Sequence, residues 1–253
     1  MKATEPRVYL LDVEGTVAPL SLVTDQLFPY ARAHFEMFLK KNAGNEAVRA
    51  DLTLLAEENH AETAPGVPRL AKVERPEEVE TPRFRLDAMV YLVWLMDRDR
   101  KSTALKSLQG KIWKIGFERG ELKGTLFADV PEAFARWAKR SKVAIYSSGS
   151  VEAQQLLFRH SSYGDVTGLI AGYFDTRTGA KSESASYAAI AEKLGVTPDD
   201  VLFFSDAVRE LDAARDSGCA TRLVIREGNA PVDDPNGHQS LTTLASIECA
   251  PAQ

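Results

Sequence analysis

Five short apolar runs are spaced along the chain and predict the strands of a β-sheet. They are Val8–Val13, Lys142–Tyr146, Gly168–Phe174, Val201–Ser205 and Thr221–Ile225. Most positions in these runs are apolar, without the strict alternation that marks a strand with one face in water. Such runs are typical of parallel strands that helices cover on both faces. The pattern therefore predicts an α/β fold with a Rossmann-like parallel sheet.

Segments with apolar residues at three- and four-residue spacing lie between the later strands and predict helices. They are Pro131–Arg140, Ser150–His160, Ser186–Leu194 and Val208–Ser217. Glycine follows two of them, at Gly195 and Gly218, where glycine commonly ends a helix. Strands that alternate with helices support a parallel sheet, because parallel neighbours need crossover connections.

The region between the first and second strands departs from this alternation. Its helical patterns are Asp25–Lys41, Glu46–Ala61, Leu86–Met96 and Thr103–Lys114, with a proline- and glutamate-rich loop at His60–Arg83. We expect residues 19–123 to form a helical cap domain inserted after the first strand. Residues 1–18 and 124–253 would then form the α/β core domain.

The composition is that of an ordinary soluble globular protein. Of its 253 residues 44% are hydrophobic and 26% charged, and 31 basic against 36 acidic residues give a net charge of -5. With no basic block, we expect neither nucleic acid nor a membrane surface as a partner. No apolar run is long enough to span a bilayer, and the N-terminal MKATEPR leads into a strand instead of a signal peptide. Two cysteines, Cys219 and Cys249, lack metal-ligand spacing and suit a reducing cytoplasm. The oligomeric state has no signal in the sequence.

Polar residues follow four of the predicted strands, where ligands bind in open α/β sheets. They are Asp12 and Glu14 after the first strand, Ser147 and Ser148 after the second, Lys181 after the third and Asp206 after the fourth. Side chains two residues apart in a strand point to the same side, so Asp12 and Glu14 would repel each other without a cation nearby. Taken singly, each motif is typical of a turn, a helix cap or a surface charge. Their order at four separate strand ends favours one common site.

These residue types suit phosphoryl transfer. Asp12 is the candidate nucleophile, which would form an aspartyl phosphate, and Asp12 with Asp206 would hold Mg²⁺. The two serines, with backbone N–H groups at the start of the following helix, would hold phosphate oxygens. Lys181 would neutralise charge on the transferring group. Glu14 would protonate the leaving oxygen and then activate water.

The same motifs resemble those of the haloacid dehalogenase-like hydrolases. The resemblance lies in DVEGT (12–16), the serines after the second strand, Lys181 and Ser205-Asp206. More closely, the chain is similar to the acireductone synthases, the enolase-phosphatases of methionine salvage, from about Val8 to Asn229. That similarity lies in LFPYAR (27–32), YSSGSVEAQQLLF (146–158), GYFDTRTGAKSESASY (172–187), and the cap stretches 98–113 and 120–124. Glu14 matches this branch, since most of the superfamily has aspartate there.

The resemblance implies a fold, a cofactor and a reaction. The fold would be a haloacid dehalogenase-type core with a helical cap. The substrate would be 2,3-diketo-5-methylthiopentyl-1-phosphate, which is enolised and then hydrolysed to acireductone and phosphate. By residue, the resemblance implies Mg²⁺ held by Asp12, Glu14 and Asp206, catalysis by Asp12, Glu14 and Lys181, and substrate binding by Ser147, Ser148 and Lys181.

Several questions stay open at this level. The enolase base is Glu14 or a cap residue, and whether Glu210 supports the metal is undecided. An apolar surface near Trp113 or Phe117 would suit the methylthio end of the substrate. The stretch Arg226–Asn229 lacks a proline that the family pattern leads us to expect, and we expect this departure to lie outside the site.

Two alternative functions fit the same residues. The first is a phosphatase of the same superfamily that acts on another small phosphate ester without enolase activity, because the cap decides the substrate and the fold does not. The second is a non-catalytic phosphate-binding protein on the same scaffold. Retention of Asp12, Lys181 and Asp206 argues against the second.

Overall fold

The structure of the chain, a computed structural model, describes residues 6–247. The predictions that concern Cys249 and the first five residues fall outside this range. In the part of the chain that is described, no helix has the length and apolar character needed to cross a membrane.

Within residues 6–247, six strands form one parallel sheet. They are β1 (Val8–Leu11), β2 (Lys142–Tyr146), β3 (Gly172–Phe174), β4 (Val201–Ser205), β5 (Ala220–Val224) and β6 (Gln239–Leu241), in the order β3-β2-β1-β4-β5-β6. This order confirms the Rossmann-like α/β fold. The order reverses between β1 and β4, so the carboxyl ends of these two neighbours form the crevice where such sheets bind ligands.

The two central strands are the most deeply buried part of the sheet. All residues of β1 and β4 are buried, in the sequences VYLL and VLFFS. On one face, the Tyr9 ring stacks on Trp137 with centroids 4.3 Å apart. On the other, Leu10 packs in a cluster with Phe203 and Ile190. Burial of each large apolar side chain stabilises the folded state by about 1.5–3 kcal/mol. The strands that lead to Asp12 and Asp206 are therefore firmly packed.

Helices precede or follow every central strand. They are α1 (Phe28–Asn42), α2 (Glu46–Ala61), α3 (Pro82–Asp97), α4 (Thr103–Glu118), α5 (Val130–Trp137), α6 (Val151–Arg159), α7 (Ser184–Lys193) and α8 (Val208–Asp216). Gly195 and Gly218 follow α7 and α8 with φ of +70° and +101°, which confirms the helix ends predicted from these glycines.

The chain divides into two compact units. The first is formed by the chain before Asp25 together with the chain after Arg119, and the second by Asp25–Arg119. The second unit contains α1 to α4, which pack around fully buried Phe35, Leu52 and Leu108. The boundaries at 18/19 and 123/124 stay a prediction.

Several element boundaries differ from the sequence-based ones, each for a local reason. The first strand ends at Leu11 because the chain turns at once after Asp12, and β3 starts at Gly172 because residues 167–169 form a 3₁₀ turn. Helix α3 begins at Pro82, earlier than predicted, since proline is well suited to a first helical turn and the Thr81 hydroxyl caps it. Strand β6 was not predicted, because it has only three residues and they are partly polar.

Candidate active site

The loop after β1, here called the acidic loop (Asp12–Ala18), is tightly wound. The Asp12 N–H donates to the Phe204 carbonyl of β4 over 2.9 Å, so Asp12 still lies in the sheet register. Gly15 then adopts φ +72°, and the carbonyl of Val13 accepts hydrogen bonds from three N–H groups of residues 16–18. This conformation favours glycine. It leaves Asp12 only 4% exposed at the carboxyl end of the sheet.

Lys181 lies between two carboxylates. Its Nζ atom is 2.5 Å from Asp12 Oδ1 and 2.6 Å from Glu210 Oε2, and its side chain is 10% exposed. The Ser205 hydroxyl also donates to Glu210 Oε2, over 2.8 Å. Burial alone would lower the pKa of Lys181, but the two carboxylates raise the pKa above its ordinary value, so the amine is a permanent cation. Glu210 is thus a partner of the lysine, and whether it also supports a metal stays open.

The backbone that carries Lys181 is held by hydroxyl groups. Tyr146, Ser186 and Tyr187 donate hydrogen bonds of 2.7–2.8 Å to the carbonyls of residues 179–181. Two of these donors come from α7 and the third from β2. The lysine therefore reaches the site from a fixed segment, although no regular element carries it.

The turn after β2, here called the serine turn (Ser147–Ser150), faces the acidic loop through one side chain. The buried Ser147 hydroxyl donates to Glu14 Oε2 over 3.2 Å and accepts from the Gly149 N–H over 3.1 Å. Ser148 is exposed. Ser150 caps α6 by accepting from the Ala153 N–H over 3.2 Å. The structure thus brings Ser147 to Glu14 and leaves Ser148 open to solvent.

Gln154 supports the serine turn from inside α6. The residue is 3% exposed, and its Nε2 atom donates to the Gly149 and Phe174 carbonyls over 2.8 and 2.9 Å. Asp175 adds a second support by accepting from the Val151 N–H over 3.3 Å. The signal for Gln154 in the sequence is a long polar side chain on the apolar face of a helix.

Asp206 lies directly against the acidic loop. A Cβ atom placed on Gly15 would be 2.3 Å from Asp206 Oδ2, which only glycine avoids. Within residues 6–247, no three His, Cys, Asp or Glu side chains are gathered into a ready-made metal cluster. The structure therefore brings Asp12, Glu14 and Asp206 to one sheet edge, but it does not arrange them as a common shell. Their metal role stays a prediction.

The site holds more negative than positive charge. Burial and the neighbouring Asp12 raise the pKa of Glu14. Burial, Asp12 and Glu210 raise the pKa of Asp206 to about 7. Burial and Asp12 raise the pKa of Glu210, against the opposing effect of Lys181. Lys181 is the nearby cation that the sequence requires for Asp12 and Glu14. Its single positive charge does not balance these two carboxylates together with Asp206 and Glu210.

The segment after β5, here called the late loop (Arg226–Asn229), touches the site. Asn229 Nδ2 donates to the Gly15 carbonyl over 2.9 Å, and Arg226 Nε donates to the Thr16 carbonyl over 3.1 Å. The expectation that the departure in this stretch lies outside the site is therefore wrong. The physical reason is that all strands of a parallel sheet end at the same edge, so the loop after β5 meets the loop after β1.

In the second unit, the two aromatic residues considered for the methylthio end lie in α4. The Trp113 indole N–H donates to the Leu27 carbonyl over 2.7 Å, and its ring stacks on half-exposed Phe28. Phe117 is buried. Their role in substrate binding stays a prediction.

The chain is similar to proteins of known family. Residues 6–218 match the model of the haloacid dehalogenase-like hydrolases. An enolase-phosphatase E1 from Synechococcus elongatus is 51% identical over 225 residues, which cover 88% of this chain and 90% of that protein. Another from Danio rerio is 38% identical over 96% of this chain and 94% of its own length. The solved structure of the UTR4 protein from Saccharomyces cerevisiae has a TM-score of 0.73 at 33% identity, over 96% of this chain and 100% of that one.

Proposed function

Because the chain belongs to the haloacid dehalogenase-like hydrolases and, within them, to the enolase-phosphatase E1 family, we propose that it is an enolase-phosphatase. It would enolise 2,3-diketo-5-methylthiopentyl-1-phosphate and hydrolyse the enol phosphate to acireductone and phosphate, in the cytoplasm and within methionine salvage. The single observation that carries the proposal is the Asp12 carboxylate at the end of β1, paired with buried Lys181 and followed by Glu14. A small phosphate ester is the substrate class that such a site accepts.

Phosphate transfer follows from the positions of Asp12 and Glu14. An Asp12 carboxylate oxygen attacks phosphorus, and the bond to the enol oxygen breaks as Glu14 gives that oxygen a proton. Glu14 then takes a proton from water, which attacks the aspartyl phosphate and releases inorganic phosphate and free Asp12. The raised pKa of Glu14 suits both steps, because the group holds its proton more readily than an exposed carboxyl.

The phosphate would be held by two side chains. Lys181 supplies a fixed positive charge beside Asp12. The exposed hydroxyl of Ser148 in the serine turn would donate to a phosphate oxygen. Ser147 keeps Glu14 oriented towards the same space through their hydrogen bond.

The chemistry of the acidic residues fits Mg²⁺. The side chains of Asp12, Glu14 and Asp206 offer only oxygen ligands. Burial and the neighbouring carboxylates raise the pKa values of Glu14 and Asp206, and a bound cation would relieve this crowding of negative charge. Mg²⁺, when bound, supplies charge neutralisation for the transferring phosphate and for a developing enolate.

Enolisation needs a base beside the substrate carbonyl. Glu14 is the candidate among the residues of this site, since the burial that raises its pKa also makes its carboxylate a stronger base. The proton that it removes from carbon would go to the leaving enol oxygen, and the proton that it later takes from water would go to the enolate oxygen, which restores the Glu14 carboxylate. One carboxyl would thus serve both half-reactions.

The proposal is tested by following the diketone phosphate with two signals, enol absorbance and released phosphate, with and without Mg²⁺. In the wild type, enol absorbance should precede phosphate. In Asp12→Asn, we expect phosphate release to fall by at least about 10³-fold while the enol still accumulates, because the nucleophile is lost and the base is kept. Normal phosphate release by this variant would refute the role of Asp12.

The same assay separates the alternative functions. Phosphate release without any enol signal would indicate a phosphatase for another ester. No metal-dependent turnover of this ester or of a chromogenic phosphate ester would indicate a binding protein.

A further inference from the structure

The acidic loop leaves two of its carbonyls to side chains from far along the chain. Its own backbone hydrogen bonds end on the carbonyls of Val13 and Ala18. The Gly15 carbonyl accepts from Asn229 Nδ2, and the Thr16 carbonyl accepts from Arg226 Nε. The turn that presents Glu14 is therefore held by the late loop in addition to its own backbone hydrogen bonds.

Arg226 is a rigid donor. Only 9% of the residue is exposed, and its Nη1 atom donates to Asp129 Oδ2 and to the Thr242 carbonyl, both over 2.9 Å. The guanidinium also lies over the Phe127 ring, 4.4 Å from the centroid. A planar guanidinium held on several sides loses little further freedom when it binds a carbonyl. Arg226 thus links the acidic loop to the start of α5 and to the chain near Thr242.

Asn229 packs against the acidic loop at Gly15, where glycine has no side chain. Its Oδ1 atom would be 3.1 Å from a Cβ atom on Gly15, and its Nδ2 atom also approaches the Val224 carbonyl at 3.4 Å. The amide therefore joins the end of β5 to the acidic loop. This close approach requires both the glycine and the short amide.

We propose that Arg226 and Asn229 are positioning residues for the reaction, which hold the acidic loop so that Asp12 and Glu14 keep their productive geometry. This inference rests on the proposed roles of Asp12 and Glu14. Within residues 6–247, the hydrogen bonds of these two residues reach neither of the phosphate-holding groups Ser148 and Lys181, which other segments carry. Loss of the late-loop contacts should therefore lower kcat much more than it raises KM, since a displacement of about 1 Å at reacting atoms can cost about 10²-fold in rate.

The test uses Asn229→Ala and Arg226→Lys in the full chain with Mg²⁺. We expect kcat for phosphate release from the diketone phosphate to fall by about 10- to 100-fold, with KM within about threefold. Amide hydrogen exchange of residues 12–20 should rise at least about fivefold while that of β4 stays at the wild-type value, because only the acidic loop is loosened.

Two control variants match these changes. Arg222→Lys alters an arginine on β5 whose guanidinium meets only the neighbouring Thr221 carbonyl among its hydrogen bonds in the described residues. Asn236→Gly alters an exposed asparagine with φ +46°, a conformation that glycine accepts. Both should keep the wild-type kcat and the wild-type exchange in residues 12–20.

Three results would overturn the inference. The first is an unchanged kcat with unchanged exchange in both variants. The second is a rise of exchange in β4 as well as in residues 12–20, which would indicate general support of the fold. The third is a loss expressed in KM alone. If the wild type releases no phosphate, the proposed function fails, and the exchange measurement still decides whether the late loop holds the acidic loop.

Discussion

Two loops meet at the same edge of the sheet, yet they are held in opposite ways. The serine turn is supported by Gln154, only a few residues further along its own helix. The acidic loop is supported by Asn229 and Arg226, which lie 214 and 210 residues away from their partners in the chain. The side chains that support the serine turn, Gln154 and Asp175, are thus close to it in the chain, whereas the side chains that support the acidic loop come from the late loop.

The difference follows from the chemistry that each loop presents. Helix α6 begins directly after the serine turn, so its N–H groups and caps already hold the backbone. The acidic loop starts no helix, and it crowds Asp12, Glu14 and Asp206 at one strand edge. A loop that concentrates like charges needs support from outside, since its own charges favour its opening.

The largest effect should come from removing the cation that faces the acidic loop. In Lys181→Met, we expect kcat/KM to fall by about 10³-fold, because the charge beside the transferring phosphate is lost. Asp12 and Glu210 also lose a buried partner, which should lower the free energy of unfolding by about 3 kcal/mol. Phosphate release and urea unfolding measure the two losses. Lys193→Met, at an exposed lysine of α7, should change neither.

The next largest effect should come from adding a side chain at Gly15, which lies against Asp206. Gly15→Ala places a Cβ 2.3 Å from Asp206 Oδ2, and we expect kcat to fall by about 10²-fold as the acidic loop shifts. Gly66→Ala is the matched control, because Gly66 has the same φ of +72° with nothing within 4 Å. Both variants should lose about 1–2 kcal/mol of unfolding free energy from the backbone alone. Equal kcat values in the two variants would show that the contact between the new Cβ atom and Asp206 does not affect catalysis.

A smaller effect is expected at the serine turn. Gln154→Ala removes one buried and one partly buried hydrogen bond, which should lower the unfolding free energy by about 2 kcal/mol. Because the serine turn would hold phosphate, KM should rise severalfold with kcat nearly kept, the reverse of the pattern expected for the late loop. The neighbouring exposed Gln155→Ala should stay within about 0.5 kcal/mol. A fall in kcat at constant KM would remove the distinction between the two loops.

The smallest effect should be a pH dependence of the stability through Asp129, the carboxylate that holds Arg226. Burial would raise the pKa of Asp129, but hydrogen bonds from Arg226, Leu244 and Thr243 outweigh burial and lower the pKa. Its stabilisation is therefore present above the unfolded pKa of about 3.9 and is lost as the pH falls through the folded value. At neutral pH, Asp129→Asn should cost about 1 kcal/mol.

This cost should start to shrink below about pH 4 and should disappear only as the pH falls through the lowered folded pKa of Asp129, where the wild-type carboxyl is also protonated. Urea unfolding at pH 7 and pH 3 gives the comparison, with Asp233→Asn at an exposed aspartate as the control. A cost that stays constant between the two pH values would exclude Asp129 as the titrating group.

The sequence predicts the parts of the molecule that depend on near neighbours. The buried runs of β2 and β4 have the predicted bounds, because continuous apolar residues leave few alternatives. Lys181 and Asp12, predicted to share a site, lie in contact because parallel strand ends converge. The contact of Asn229 with Gly15 could not be predicted, since nothing in either short stretch specifies a partner more than 200 residues away. Strand β6 was missed because an edge strand of three residues carries little apolar pattern.

The support of the acidic loop also sets an order in time. Residues 12–18 are synthesised before their partners, because Arg226 and Asn229 follow more than 200 residues later, and Thr242 later still. At ribosomal rates this delay is roughly 10–40 s. During this interval the nascent chain carries Asp12 and Glu14 without the contacts that hold them. The site is therefore completed only when almost all of the described chain has been made and folded.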